Sequence, residues 1–221
     1  GPATRQVHTR QTVSFALLVQ NTEATPRSCA LQLSLPAGWK QLSTESPFRL
    51  GPGASELRVV GLLVPAQARA GPYSVVCTAR DIEASEVEAS ATLELVVAPE
   101  TAVEVVVLEK PRFVIAGESY ACTFAVANRG NTDTLVDLEL SNLPEFRARF
   151  QDAESAAGFW LAPGEQRLVV VEVRTDDRLR QLTQHALILR ARLPGGAVSR
   201  RASATSVVEV VPLDLAGTQV M

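Results

Sequence analysis

The sequence predicts an all-β protein built of two tandem β-sandwich domains of immunoglobulin type. Three observations support this fold class: apolar and polar residues alternate in short runs, Gly and Pro separate the runs, and the whole pattern occurs twice. Long stretches with helical periodicity are absent. The 221 residues suit two such domains, because a sandwich of this type has about 100 residues.

The composition indicates a folded protein and argues against some classes of binding partner. Hydrophobic residues make up 46% of the chain and charged residues 20%, so a folded core is expected. The net charge of −3 argues against nucleic acid or an anionic membrane surface as the main partner. No apolar run reaches the roughly 20 residues that a membrane-spanning helix needs, so no membrane insertion is expected.

The duplication is clearest in the first long strand of each unit. Val13–Asn21 and Tyr120–Asn128 both carry an apolar residue at every second position. Both segments end on Asn and run into a turn. This pattern predicts a half-buried strand that leaves the sandwich for a loop.

A second repeated segment has the pattern Phe-x-Leu-x-Pro-Gly. It reads FRLGPG at Phe48–Gly53 and FWLAPG at Phe159–Gly164. Pro restricts φ and Gly accepts backbone conformations that other residues resist, so Pro-Gly predicts a turn into the next strand. The shared parity of Phe and Leu predicts that both point into the core, while Arg49 and Trp160 point outward.

The domain boundary falls in the segment VVAPETAVEVVV. Pro99 ends the last strand of the first unit, and Val103 starts the first strand of the second. We therefore expect one domain over residues 1–99 and a second over residues 100–221, the latter with a short C-terminal tail. The linker of a few residues predicts a semi-rigid connection.

The motifs VSFALLVQNT, LPAGW and VPAQARAGPYSVVCTA in the first unit resemble those of Ig-like modules from bacterial and archaeal surface proteins. These include modules attached to α-galactosidases and those called cell-adhesion-related domains. The resemblance implies the fold, and implies that Trp39 closes one end of the first sandwich. The second unit departs from the pattern, with NLPEF in place of LPAGW and His185 in place of Tyr73.

Residues for catalysis or metal binding are scarce. His8 lies near the start of the chain, and His185 aligns with a core tyrosine, which predicts a structural role. No nucleophile has a plausible base, so we expect no enzyme activity, no catalytic residues and no cofactor. The acidic run from Asp81 to Glu88 could offer oxygens to calcium, but a solvated hairpin tip is favoured and no metal site is predicted.

The three cysteines share the predicted inward parity of their strands. Cys29 and Cys77 lie on strands that neighbour each other in an Ig sandwich, so a disulfide between them is one hypothesis. Buried thiols that act as small apolar side chains are the favoured alternative. Cys122 has no partner in its own unit, and zinc-type spacings are absent.

Four exposed residues are candidates for partner contact. Trp160 is predicted to point outward beside a turn, where an aromatic ring suits a protein or a sugar. Arg49 occupies the same position in the first unit. Arg147 and Arg149 could form a basic edge on the second unit, although charges on edge strands also prevent aggregation.

These observations favour a non-catalytic structural or protein-interaction module of a larger bacterial cell-envelope or surface protein. The expected partners are another protein or neighbouring domains of a longer chain, and the expected location is periplasmic or extracellular. Two alternatives remain: a periplasmic pilus-type chaperone and a carbohydrate-binding accessory domain that would contact a glycan.

Overall fold

A computed structural model describes residues 4–43, 46–84, 86–193 and 201–213. The chain divides into two compact units, Gly1–Pro99 and Glu100–Met221. Each unit contains two β-sheets with an apolar core, and each is described by itself below.

Unit 1 has eight strands in its described residues. One sheet has the order β1-β8-β7-β3-β5, and the other has the order β2-β6-β4. The strands are β1 (Arg5–Val7), β2 (Thr12–Gln20), β3 (Arg27–Ser34), β4 (Lys40–Gln41), β5 (Phe48–Leu50), β6 (Ser55–Leu63), β7 (Gly71–Asp81) and β8 (Glu88–Val97).

Unit 2 repeats this plan with one additional strand, β9. Its sheets have the orders β10-β17-β16-β12-β14 and β13-β15-β11-β9. The strands are β9 (Val103–Glu109), β10 (Phe113–Ile115), β11 (Ser119–Asn128), β12 (Thr134–Ser141), β13 (Arg147–Phe150), β14 (Phe159–Leu161), β15 (Gln166–Arg174), β16 (Thr183–Arg192) and β17 (Arg201–Val211).

Alternating burial along the strands places one face of each sheet in the core. In β15, for example, Val169, Val171 and Val173 are fully buried, and the residues between them are more exposed. This period of two is what a half-buried strand requires. The predicted fold class, two tandem Ig-like β-sandwiches, is therefore confirmed.

Trp39 is part of the apolar core of unit 1. Its side chain is only 6% exposed. Its ring lies 5.4 Å from that of Tyr73, measured between ring centroids, with the two planes tilted by 47°. Such tilted aromatic pairs add a modest stabilisation to the apolar area that they bury.

The repeated hexapeptide forms the predicted turn in both units. Gly53 has φ of 68° and Gly164 has φ of 80°, which is the left-handed region that favours glycine. Leu50 and Leu161 are buried, whereas Arg49 and Trp160 are exposed. The turn leads directly into β6 in unit 1 and β15 in unit 2.

A buried asparagine ties the end of β2 to this hexapeptide in unit 1. Asn21 Nδ2 donates to the carbonyl oxygens of Leu50 at 3.2 Å, Gly51 at 3.1 Å and Thr25 at 2.8 Å. Its Oδ1 accepts from the backbone N–H of Glu23 at 3.0 Å. The strand end and the turn after it are thus held by one side chain.

Asn128 makes the same contacts in unit 2. Its Nδ2 donates to the carbonyl oxygens of Leu161 and Thr132, both at 2.9 Å, and its Oδ1 accepts from Gly130 N at 2.9 Å. The sequence predicted the two strand ends and the two turns separately. The structure shows that each Asn connects them.

The register of β3 and β7 separates the two cysteines that were candidates for a disulfide. Cys29 lies opposite Asp81, and Cys77 lies opposite Leu33. The offset of four residues corresponds to about 13 Å along the strands, whereas a disulfide spans Cα atoms at most about 7 Å apart. A Cys29–Cys77 bond does not fit this fold, because the register holds the two residues apart.

The described residues contain one short helix, α1 (Ala153–Ala157), which the sequence analysis did not predict. Asp152 caps it by accepting from Ser155 N at 2.6 Å, a common N-cap arrangement. Among the described residues, no helix is long and apolar enough to cross a membrane.

Candidate protein-interaction surface

Trp160 is the most exposed aromatic candidate from the sequence. It lies in the middle of β14, opposite Leu135 of β12, and is 65% exposed. Its neighbours Phe159 and Leu161 are buried in the core of unit 2. The backbone of Trp160 is therefore fixed on both sides while its ring faces solvent.

Arg49 occupies the equivalent position in unit 1. It lies in β5 opposite Ser28 of β3, and it is exposed. Since Arg49 and Trp160 belong to different units, each is a candidate contact of its own unit.

Arg147 and Arg149 lie on the same face of β13, in the sheet of unit 2 that does not contain Trp160. Arg149 forms an ion pair with Glu172 at 2.7 Å across to β15. This pairing supports the role of a charged edge strand rather than a site for an anion. The structure thus brings the two arginines together and places Trp160 on the other sheet.

Arg147 borders a polar surface pocket of about 420 Å³ in unit 2. Arginines and acidic residues line it together: Gly117, Glu145, Arg147, Arg174, Thr175, Asp176, Asp177 and Arg178. Backbone donation from Arg178 lowers the pKa of Asp176 below its usual value. The three arginines and the three acidic residues of the lining balance in formal charge.

His185 is a core residue, as its alignment with Tyr73 predicted. It is fully buried, and its ring stacks on Phe146 with the centroids 3.8 Å apart and the planes 14° apart. Nδ1 contacts the hydroxyl of Tyr120. Burial raises the pKa of Tyr120, so its hydroxyl keeps the proton and donates it. Nδ1 is then the acceptor, and Nε2 carries the ring proton, for which the described residues offer no acceptor.

Asp81 differs from the solvated position that the sequence suggested. It is 4% exposed and forms an ion pair with Arg27 at 3.0 Å. Donation from Glu83 N, together with the Arg27 guanidinium, holds the pKa of Asp81 below its usual value. Asp81 therefore fixes the β7–β8 hairpin from its base. Among the described residues, no group of three or more acidic, His or Cys side chains could hold a metal ion.

The outer face of the β2-β6-β4 sheet is strongly apolar, a feature that the sequence analysis did not identify. Leu18 is 69% exposed, and Leu57 and Val59 are each 62% exposed. The register sets Leu18 opposite Leu57 and Ala16 opposite Val59, so the four side chains are cross-strand neighbours. We call these four residues the apolar face of unit 1.

Leu42 extends the apolar face toward β4. It is 52% exposed, and its backbone N–H donates to Gly61 O at 2.8 Å. A signal for the face was present in the sequence, since Leu17 and Leu18 are consecutive apolar residues in an alternating strand. One of the two had to point outward.

The equivalent face of unit 2 also carries exposed apolar side chains. Leu168, the counterpart of Leu57, is 56% exposed, and Ala125 stands opposite it in place of Leu18. On β9, Val106 is 42% and Leu108 50% exposed. An Arg129–Glu104 ion pair at 2.8 Å also involves β9.

Comparison with known families gives a match in unit 1. The model described as NPCBM-associated, NEW3 domain of alpha-galactosidase matches residues 9–81. A comparison with curated proteins finds no match.

Solved structures resemble the chain only distantly. Native Escherichia coli alpha-2-macroglobulin matches with 13% identity and a TM-score of 0.39, over 94% of this chain and 16% of that one. The protocadherin gammaB7 EC3-6 cis-dimer matches with 12% identity and a TM-score of 0.44, over 94% and 46%. The YadV chaperone matches with 11% identity and a TM-score of 0.30, over 93% and 98%.

The chain therefore spans a small part of the alpha-2-macroglobulin that it matches, and similarity at this level carries no argument about function. The fold follows from the strands, sheets and cores described above. The chain is a tandem of Ig-like β-sandwich modules, and its first module matches the α-galactosidase-associated NEW3 domain over residues 9–81.

Proposed function

We propose that this chain is a non-catalytic protein-interaction module of a larger bacterial cell-envelope or surface protein. The observation that carries the proposal is the apolar face of unit 1. Contiguous apolar side chains with more than half of their surface in water are typical of surfaces that bind another protein.

The energy available from this face is appreciable. Burial of a fully exposed Leu or Val stabilises a complex by about 1.5–3 kcal/mol. Leu18, Leu57 and Val59 retain over half of their exposure, so each would contribute about 1–2 kcal/mol on contact. Three such neighbours form a central anchor, to which polar residues at the margin add specificity.

The match to an enzyme-associated domain supports an accessory role for the module. His185 and Cys122 are fully buried, and both are core residues. Cys122 Sγ contacts Ser206 Oγ at 3.2 Å, and burial raises the pKa of this thiol, which disfavours the reactive thiolate. A location in the periplasm or outside the cell is part of the same proposal.

Site-specific photo-crosslinking in the native host tests the proposal. A photoreactive residue at position 57 should give a discrete adduct with one partner protein. The matched control is position 32, because Gln32 is exposed on a strand of the other sheet of unit 1. We expect the adduct at position 57 to be lost when Val59 is replaced by Glu, since the charge cannot be buried without a partner.

Equal adducts from positions 57 and 32 would show that the apolar face is not the contact surface. Absence of any adduct from position 57 in the native host would overturn the proposal.

Trp160 supports a second candidate function, carbohydrate binding. Its exposed ring, held between two buried residues, offers a flat surface for a sugar. Binding on a glycan array that disappears in Trp160→Ala would favour this function over protein interaction.

A further inference from the structure

The outer face of the β10-β17-β16-β12-β14 sheet in unit 2 has an aromatic side chain at each edge. Alternation along the strands directs the odd-numbered residues of β12 and β17 outward, together with the even-numbered residues of β14 and β16. Trp160 stands on this face at the β14 edge and is 65% exposed. Phe113 stands at the β10 edge and is 60% exposed.

A row of polar side chains crosses this face next to Trp160. The register sets Asp137 of β12 opposite Arg192 of β16, and Arg192 opposite Arg201 of β17. Trp160 lies opposite Leu135, two residues before Asp137, and such a diagonal neighbour is within reach of an aromatic side chain. We call Asp137, Arg192 and Arg201 the polar row. Together with the ring it spans four strands, a width of about 14 Å.

Gly158 leaves the place beside Trp160 and Asp137 without a side chain. It comes directly before Phe159, which pairs with Val136, so it lies beside Asp137. Its φ is 84°, and a Cβ at this position would come within 2.6 Å of Asp137 Oδ1. The carboxylate is therefore open to solvent next to the aromatic ring.

The carboxylate of Asp137 has no hydrogen-bond or ion-pair partner among the described residues. Arg192, which lies opposite it, forms an ion pair with Glu139 instead. A guanidinium has five N–H donors, so Arg192 keeps donors for a further partner. The row thus offers hydrogen-bond acceptors on Asp137 and donors on the two arginines.

The charges around the row disfavour a strongly charged ligand. Asp137 and Glu139 are negative, and Arg192 and Arg201 are positive. Arg190, opposite Glu139, adds one positive charge. This small positive excess opposes a cation, and the free carboxylate beside the ring opposes an anion stacked there.

Unit 1 differs at both key positions of this surface. The register places Arg49 in unit 1 where unit 2 has Trp160. The same alignment places Ala30 of β3 in the position of Asp137. The exposed ring and the free carboxylate occur together in one unit, and both are replaced in the other.

A neutral sugar chain matches the chemistry of this surface. One face of a pyranose ring carries C–H groups, which pack on an aromatic face. Its hydroxyls both donate and accept hydrogen bonds, so they suit a row in which acceptors and donors are side by side.

We propose that this face of unit 2 binds a neutral oligosaccharide. One ring stacks on Trp160 next to Gly158, and its hydroxyls donate to Asp137. The following rings extend along the polar row and accept from Arg192 and Arg201. The proposal rests on the second candidate function named above, carbohydrate binding, and specifies its binding residues and ligand class.

Titration of the full chain with defined oligosaccharides tests the proposal. The probes are short linear oligosaccharides of glucose, galactose or mannose, with chitosan oligomers as cationic probes and galacturonic acid oligomers as anionic probes. We expect one of the neutral series to bind and to shift tryptophan fluorescence to shorter wavelength. The shift reports on Trp160, because it leaves water on binding while Trp39 is already buried.

Three variants locate the site by isothermal titration calorimetry. Trp160→Ala and Asp137→Ala should each weaken binding at least about tenfold, through loss of stacking and of a charged hydrogen-bond acceptor. Alanine occupies the position of Asp137 in unit 1, so the fold accommodates it. Phe113→Ala is the matched control and should leave the affinity unchanged, since it removes an exposed ring at the other edge of the same sheet. Asp137→Ala decides the question even if Trp160→Ala fails to fold.

Absence of binding to every neutral probe would overturn the proposal, as would tighter binding of the cationic or anionic probes. Equal losses in Trp160→Ala and Phe113→Ala would do the same. A photoreactive residue at position 160 that gives a protein adduct in the native host would assign this surface to a protein partner. Binding that depends on Trp160 and is unchanged in Asp137→Ala would reject the polar row and retain carbohydrate binding. Crosslinking from position 57 is independent of all these results.

Discussion

Asn21 and Asn128 have the clearest structural role of any polar residues in the two units. Each is buried, and each side chain forms hydrogen bonds to backbone groups of both the loop that follows its strand and the Phe-x-Leu-x-Pro-Gly segment. An unpaired backbone carbonyl in a protein interior is costly. The side-chain amide therefore supplies the hydrogen-bond donor that a buried carbonyl of each turn segment requires.

We expect Asn128→Ala to destabilise unit 2 by about 2–4 kcal/mol, because three hydrogen bonds are lost and buried carbonyls remain without a donor. Urea unfolding followed by circular dichroism measures this change. Asn128→Asp is the matched variant, since it keeps the shape and the acceptor but loses the amide donor. A loss below about 0.5 kcal/mol in both variants would contradict the assigned role.

His185 predicts a specific response to acid. Burial lowers its pKa from 6.5 to about 4 in the folded protein. Above pH 6.5 the residue is neutral in both the folded and unfolded states, so it has no effect on the pH dependence of stability. Between pH 6.5 and about 4 the unfolded state binds the proton first. The free energy of unfolding should therefore decrease as the pH is lowered from 6.5 to about 4. The total decrease is on the order of 3 kcal/mol.

Chemical unfolding at several values between pH 7.5 and 4.5 measures this dependence. In His185→Gln the decline over this range should flatten, because the titrating group is gone while a hydrogen-bond acceptor for Tyr120 remains. A pH dependence that is the same in the variant and the wild type would contradict the prediction.

The alternating pattern predicted six or seven strands in each unit, and the described residues contain eight in unit 1 and nine in unit 2. The long strands were predicted, whereas short strands such as β4 and β10 are too brief to show a period of two. The repeated Phe-x-Leu-x-Pro-Gly segment also gave the turns and the outward direction of Arg49 and Trp160. Register was not accessible in the same way. The sequence placed Cys29 and Cys77 on neighbouring strands, but the offset between two strands depends on packing across the whole sheet.

The candidate surface was predictable only in part for a similar reason. Trp160 was found because a large aromatic residue at an outward position is conspicuous. The apolar face requires Leu18 of β2 and Leu57 of β6 to be side by side, and only the pairing of the two strands shows this.

Within the described residues, the two copies of one fold differ in how completely their cores are covered. Unit 2 has β9 over one edge and a continuous set of fully buried residues beneath it. Unit 1 leaves half-buried apolar residues along β2 and exposes the apolar face.

We expect residues 1–99 and residues 100–221, prepared separately, to fold and to unfold cooperatively. Residues 100–221 should unfold at the higher temperature, because more of their apolar surface is removed from water. Differential scanning calorimetry of both pieces and of the full chain measures this. A piece without a cooperative transition, or a lower transition temperature for residues 100–221, would contradict the prediction.

The hydrogen bonds between each asparagine and its Phe-x-Leu-x-Pro-Gly segment also affect the residue between the Phe and the Leu, which is Arg49 in unit 1 and Trp160 in unit 2. Its backbone is immobilised before any ligand arrives, so binding through that side chain would require little further loss of conformational entropy. The position can carry Arg in one unit and Trp in the other without change to the support beneath it. A duplicated module of this kind can acquire new binding chemistry at one exposed site while its folding determinants stay the same.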